Sequence, residues 1–267
     1  MADYSLEQQI KLTKKLRLVL DELPAFCTMY FTGIDSTTAI RTRLAYATDL
    51  KTFFQFLLDE VSLFTAYSSL GDFTLNDIER LDSWVFEQFL SFLSAYQKDD
   101  QQVLSNANPA KARKLSSIRS MYRYFHKKGL ISSNPSLLVD MPVKKDKPIV
   151  RLEANESADL LDNIENGIKL TKTQQRYHDK TKERDAAIIT LLLGTGIRIS
   201  ECVGLNIEDI DFTQNSFKVT RKGGNKEILY FNDEVKEALE DYLTVRKKII
   251  PLPGVFSAGQ QRNPLFQ

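Results

Sequence analysis

The sequence predicts a mostly α protein with an α+β second domain. Helix-period apolar spacing fills the first half of the chain. A basic, proline-bearing break follows at 142–150, and two alternating strands beyond it flank Gly223-Gly224-Asn225 between further helices. At 267 residues the chain can hold two domains, each with its own core. The boundaries read from these breaks are 1–141 for a helical domain, 142–150 for a linker and 151–267 for the second domain.

The elements follow in order. Ser5 can cap a helix to about Glu22, with Leu6, Ile10, Leu16 and Leu20 on one face. Ser36-Thr37-Thr38 opens a second helix, whose stripe is Leu44, Tyr46, Leu50, Phe53, Phe54, Leu57 and Leu58. A third runs from about Asp82 to Tyr96, burying Val85, Phe86, Phe89, Leu90 and Leu93. Gln97 to Asn108 is polar and reads as a surface loop. A fourth helix starts near Pro109 and stops at Gly129, the usual chemistry of helix ends. Past the linker, Ser157 to Ile164 forms a short helix and 166–182 a polar loop. Arg184 to Leu193 is a buried helix broken by Gly194-Thr195-Gly196, and a new helical turn starts at Arg198. Strands at 217–220 and 228–231 make the hairpin, and Asn232 or Asp233 caps a last helix to Lys248. Trp84 and the Phe53-Phe54 pair read as core, as do Tyr230 and Tyr242.

Composition narrows the function. Formal net charge is only +1, but 107–151 holds eleven bases (among them Lys111, Arg113, Lys114, Arg119, Arg123, Lys127 and Lys128) against Asp140 and Asp146. A basic stretch inside a neutral chain points to a polyanion-binding face. On the fourth helix Leu115, Ile118, Met121, Tyr122 and Phe125 face inward. Arg113, Lys114, Arg119, Arg123 and Lys127 can line the other side, available for phosphates or base edges. No apolar run is long enough to cross a bilayer, and the start lacks the pattern of a secretory signal. The two cysteines, Cys27 and Cys202, argue for a reducing cytoplasm and against a disulfide framework or a zinc site. No phosphate-loop or dinucleotide fingerprint occurs, and no carboxylates have metal-ligand spacing. No cofactor and no metal are expected.

Two residues carry chemistry. Arg198 follows a glycine-bounded break, where a guanidinium at a helix start can grip two phosphate oxygens. Lys222, at the hairpin tip, can carry a proton to a leaving oxygen. Taken singly, each has a plain alternative: Arg198 pairs with Glu201 or Asp185, and Lys222 is a solvated hairpin base.

Together they bring a family into view. Gly194-Thr195-Gly196-Ile197-Arg198-Ile199-Ser200-Glu201, continued by Leu205 to Asp211, resembles the first signature box of the tyrosine recombinase (phage integrase) family. Lys222-Gly223-Gly224-Asn225-Lys226-Glu227 resembles its β-hairpin lysine motif. Thr42 to Leu50 with Phe53, and Ile118 to Phe125 running on to Asn134-Pro135, are similar to its amino-terminal core-binding domain. The resemblance runs from about Ser36 to Leu243 and is nearest to Xer-type and mobile-element integrases.

The resemblance implies a helical core-binding domain followed by a partial catalytic domain, closing as a clamp around double-stranded DNA. It implies site-specific recombination through a 3′-phosphotyrosyl link, without metal or nucleotide hydrolysis. Arg198 would stabilise the phosphorane, Lys222 would protonate the 5′-oxygen, and Glu201 would orient the site or serve as a plain helix-start acid. Thr42 joins the fourth-helix bases as a DNA contact. One departure stands out. Neither His126 nor His178 begins the family's His-x-x-Arg box, and no tyrosine stands in the nucleophile's place. The chain reads as a recombinase cut short by design, frameshift or natural truncation. On that reading it is inactive alone and monomeric in solution, although the complete enzyme would be a homotetramer on DNA. The alternatives from other classes are a non-catalytic DNA-binding protein derived from a recombinase and a structural helical protein whose basic stretch contacts some other anion.

Overall fold

A computed structural model describes residues 4–97, 103–143, 148, 150–221, 224–249 and 264–266. The chain clusters into two compact units, Leu6–Lys147 and a second taking in Pro148–Gln267.

The first unit is helical. It contains α1 (Tyr4–Asp21), α2 (Ala25–Gly33), α3 (Ile40–Glu60), α4 (Leu75–Glu79) and α5 (Ser83–Phe92). A two-residue ladder of β1 (Tyr96–Gln97) on β2 (Val103–Leu104) and α6 (Asn108–Lys127) complete it. Aromatic rings dominate the core. Phe53 stacks on Phe86 at 5.7 Å and meets Phe89 edge-on at 5.2 Å, and Phe86 meets Tyr122 edge-on at 5.5 Å. These geometries suit ring quadrupoles as well as apolar burial. The buried stripe of α6 is Leu115, Ile118, Met121, Tyr122 and Phe125, as its spacing predicts.

Differences from the sequence reading have local causes. Helix α2 was not predicted, because Ala25 to Phe31 is apolar on nearly every side and shows no stripe. Pro24 occupies its N-cap, and Cys27, Tyr30 and Phe31 are buried. Helix α3 starts at Ile40 rather than Ser36, since 34–38 form turns whose N–H groups bond back to Ile34 and Thr32. Helix α5 keeps Asp82 as its cap, the carboxylate accepting from the Val85 N–H at 3.2 Å, but stops at Phe92, where the chain turns into the ladder. Trp84 is 60% exposed and not core: it sits in the first turn of α5, facing away from Phe86 and Phe89.

Three acids fasten the loops of this unit. Asp72 accepts the N–H groups of Ser68 and Ser69, which hold its carboxyl below the usual range. Burial pushes Asp77 up, but bonds from Thr74 and Tyr67 outweigh it and leave it lowered. Glu79 is lowered by the Ser132 N–H, at 2.8 Å. A carboxyl lowered by folding adds stability that is complete above its unfolded value, about 4, and is lost as pH falls through the folded value. The stability that these three carboxyls contribute should therefore hold from neutral pH to about 5 and be lost below about 4. Asp77→Asn should flatten that fall, which circular dichroism melts across pH will show.

The second unit is α+β. It comprises α7 (Ala154–Asn166), α8 (Lys172–Thr195), α9 (Ile199–Val203), β3 (Ile210–Asp211), β4 (Ser216–Thr220), β5 (Lys226–Tyr230) and α10 (Asp233–Ile249). The strands form an antiparallel sheet in the order β3-β4-β5. Inward residues Phe217 and Val219 pack with Leu191, Leu205, Val235, Leu239 and Tyr242.

The predicted loop at 166–182 is overturned: from Lys172 onward it is the first half of α8. This stretch is polar on all sides and shows no stripe. It is helical through a Thr171–Gln174 capping box and the i,i+4 bonds Gln175–Asp179 and Thr181–Asp185. The His178 ring also meets the Ile164 carbonyl at 2.6 Å, tying α8 to α7.

Candidate active site

Helix α8 ends on Gly196 at φ +64°, a left-handed cap that a side chain would strain. Ile197 then anchors the chain in the core at 5% exposure, and Arg198 turns outward as the N-cap residue of α9. Its side chain is 64% exposed, while Glu201, one helical turn on, is 4% exposed. The Glu201 carboxylate accepts the Arg198 backbone N–H at 3.0 Å and the Arg198 Nη1 at 2.8 Å. Of the two partners open to Arg198 in the sequence, Glu201 is the one it takes, and Asp185 is instead bonded by Thr181 and Arg184.

Glu201 has a further partner that the sequence reading missed. Arg221, at the end of β4, donates from Nη1 to Glu201 at 2.9 Å and from Nε to Glu227 at 2.8 Å. The Arg198 N–H is the main cause that holds the Glu201 carboxyl below its usual range. Burial opposes it, and the Arg198 and Arg221 guanidinia assist. One buried carboxylate thus joins the Arg198 helix start to the base of the hairpin. A signal for Arg221 was present in the sequence: a charged residue beside the candidate lysine, with an acid a few positions beyond it across a tight turn. Lys222 itself lies outside the described residues. Around it, Thr220 pairs with Lys226, and Arg221 and Asn225 close the turn.

The tyrosines divide. Tyr242 is buried and stacks on Phe266, as expected. Tyr230 is 69% exposed and not core: alternation on β5 puts Leu229 inward and Tyr230 outward.

The basic face of α6 is narrower than predicted. Arg123 and Lys127 are exposed, and so is Thr42 in the first turn of α3. Lys114 is a correction. It is 6% exposed and its ammonium lies 3.1 Å from Asp49, which is fully buried. Arg113 holds the other Asp49 oxygen at 2.6 Å and keeps about half its side chain in solvent. Arg119 is spent on the chain after α6, donating from Nε to the Ser136 carbonyl at 3.0 Å and from Nη2 to that of Val139. Among the described residues no group of three or more His, Cys, Asp or Glu side chains could hold a metal ion, and no helix is long and apolar enough to cross a membrane.

Comparison with known proteins places these features. Residues 151–266 match the phage integrase family. The tyrosine recombinase XerC of Caldanaerobacter subterraneus subsp. tengcongensis is 33% identical over 232 residues, covering 82% of this chain and 57% of that protein. The tyrosine recombinase XerS of Streptococcus thermophilus is 28% identical over 259 residues, covering 89% of this chain and 72% of that protein. The chain therefore spans little more than half the length of its XerC relative. Among solved structures, the Tn1549 transposon integrase in complex with circular intermediate DNA shares the fold with a TM-score of 0.54 at 19% identity. That match covers 91% of this chain and 71% of that one.

Proposed function

The chain belongs to the tyrosine recombinase (phage integrase) family, and from that premise we propose that it binds duplex DNA and carries part of a site that breaks and rejoins DNA strands. The observation that carries this reading is the solvent-facing Arg198 guanidinium, held at Nη1 by buried Glu201 and linked through Glu201 to the hairpin bearing Lys222. A charged fork held in advance stabilises developing charge on a phosphate without reorganising during the reaction. In this reading Arg198 grips the scissile phosphate, Lys222 protonates the leaving 5′-oxygen and Glu201 orients Arg198. Residues 1–141 form the core-binding domain and 151–267 belong to the catalytic domain. Relatives named as recombinases, and an integrase solved with DNA, support duplex DNA as the partner.

On α6 the reading assigns phosphate contact to Arg123 and Lys127, with exposed Thr42 and the outer part of Arg113 as further contacts. Lys114 and Arg119 serve the fold. Fluorescence anisotropy on labelled duplex DNA tests this. Affinity should fall with salt at a log–log slope of about −0.9 per phosphate neutralised. Arg123→Ala and Lys127→Ala should each reduce the magnitude of the slope by about 1 without unfolding the protein. Lys114→Met should leave the slope unchanged. A salt-independent affinity, or no binding at all, would refute the DNA reading.

A further inference from the structure

We propose that Arg221 is a positioning residue, locking the base of the β4–β5 turn, and with it the segment carrying Lys222, to the helix start that carries Arg198. The proposal rests on the reading of Arg198 and Lys222 as the phosphate-handling pair. It adds a residue that neither the signature box nor the hairpin lysine motif, as read in this sequence, assigns.

The geometry of residue 221 is fully committed. Its backbone N–H donates to the Asn225 carbonyl at 2.7 Å, and its carbonyl accepts from the Gly224 N–H at 3.0 Å. Its side chain reaches in two directions, Nη1 to Glu201 on α9 and Nε to Glu227 on β5. The side chain is 26% exposed and Glu201 only 4%, so the inner bond is shielded from water. Gly224, at φ +89°, has little conformational preference of its own. A lysine on an unanchored tip would pay its ordering entropy during the reaction, whereas one carried next to an anchored residue has paid it on folding.

The bridge also requires arginine. A guanidinium presents donors in a rigid fork that spans two carboxylates, and a lysine is a single point charge that satisfies one. Direct phosphate binding by Arg221 is the competing role. It is disfavoured because two of the three guanidinium nitrogens already meet carboxylates.

The test uses the 267-residue chain without DNA. Amide hydrogen exchange is followed by NMR at residue 221 and Gly224, and the Glu201 side-chain carboxyl is titrated by its carbon shift. Arg221→Gln should raise exchange at both amides about tenfold while leaving α8 and α10 unchanged. It should also move the Glu201 titration up toward the ordinary glutamate value. The shift stays partial, because the Arg198 N–H remains in place. Arg221→Lys should recover part of both effects. Unchanged exchange together with an unmoved Glu201 titration overturns the proposal. A large loss of duplex-DNA affinity in Arg221→Gln with unchanged exchange also overturns it, and makes Arg221 a phosphate ligand. Neither main readout needs DNA, so their failure leaves the recombinase reading standing. Absence of DNA binding by the unaltered chain sinks that reading alone.

Discussion

Asp49→Ala should be among the most destabilising single substitutions in the first unit, costing about 3–5 kcal/mol, the scale of a buried ion pair deprived of one partner. Asp49 is fully buried on α3, between Lys114 and Arg113 of α6. Its removal leaves the Lys114 ammonium, at 6% exposure, without its carboxylate partner. Burial pushes the Asp49 carboxyl up, and the attraction of Lys114 and Arg113 does not fully cancel that. The pair as a whole therefore adds little to stability, while breaking it costs much. The double substitution Asp49→Leu with Lys114→Met should consequently be less destabilising than Asp49→Ala alone, because no charge is stranded. Arg113 can then extend into solvent, where half its side chain already lies. Native-state amide exchange in α3 and α6, read against denaturant, separates these variants. If the double variant is the less stable, the ion pair contributes net stability and this account fails.

The ion pairs show why part of the site was legible in the sequence and part was not. Arg198 and Glu201 stand three residues apart on one helical turn, so spacing alone brings guanidinium and carboxylate together, and the structure joins them. Lys114 stands on the polar side of an amphipathic helix, and periodicity assigned it to solvent. Its partner is 65 positions earlier in the chain, on another helix, and no local pattern reveals such a pair. Arg119 was misread for a similar reason, since its acceptors are backbone carbonyls, which leave no mark on the sequence.

Arg221 lay between the two kinds. Its link to Glu227 crosses one tight turn to a diagonal neighbour, since register pairs Glu227 with Val219, but its link to Glu201 joins separate elements. Fold elements divide along the same line. Helices with a single apolar stripe, such as α3 and α6, were readable. Helix α2 is apolar nearly all round and the first half of α8 is polar all round, so neither offers the contrast that periodicity needs. In α8 the Thr171–Gln174 capping box was the available signal, and it outweighs the missing stripe.

Arg198→Ala should abolish DNA strand cleavage, a loss on the order of 10³-fold or more, in a polypeptide that joins this chain to a nucleophilic tyrosine. Lys222→Ala should slow cleavage by about 10² to 10⁴-fold, the range for loss of a general acid. The two losses differ in kind. Without Arg198 the non-bridging phosphate oxygens lose a charged donor whose guanidinium is held at Nη1 by Glu201. Without Lys222 the 5′-oxygen must leave as an alkoxide. A substrate with sulfur at the 5′-bridging position has a leaving group that needs no proton, so it should restore cleavage to Lys222→Ala and not to Arg198→Ala. Arg221→Gln then belongs with the lysine. If Arg221 positions the hairpin, its cleavage defect should shrink on the sulfur substrate, because the misplaced group is no longer needed. Equal rescue of Arg198→Ala would show that the guanidinium acts on the leaving group, and the division of labour between helix start and hairpin would have to be reversed.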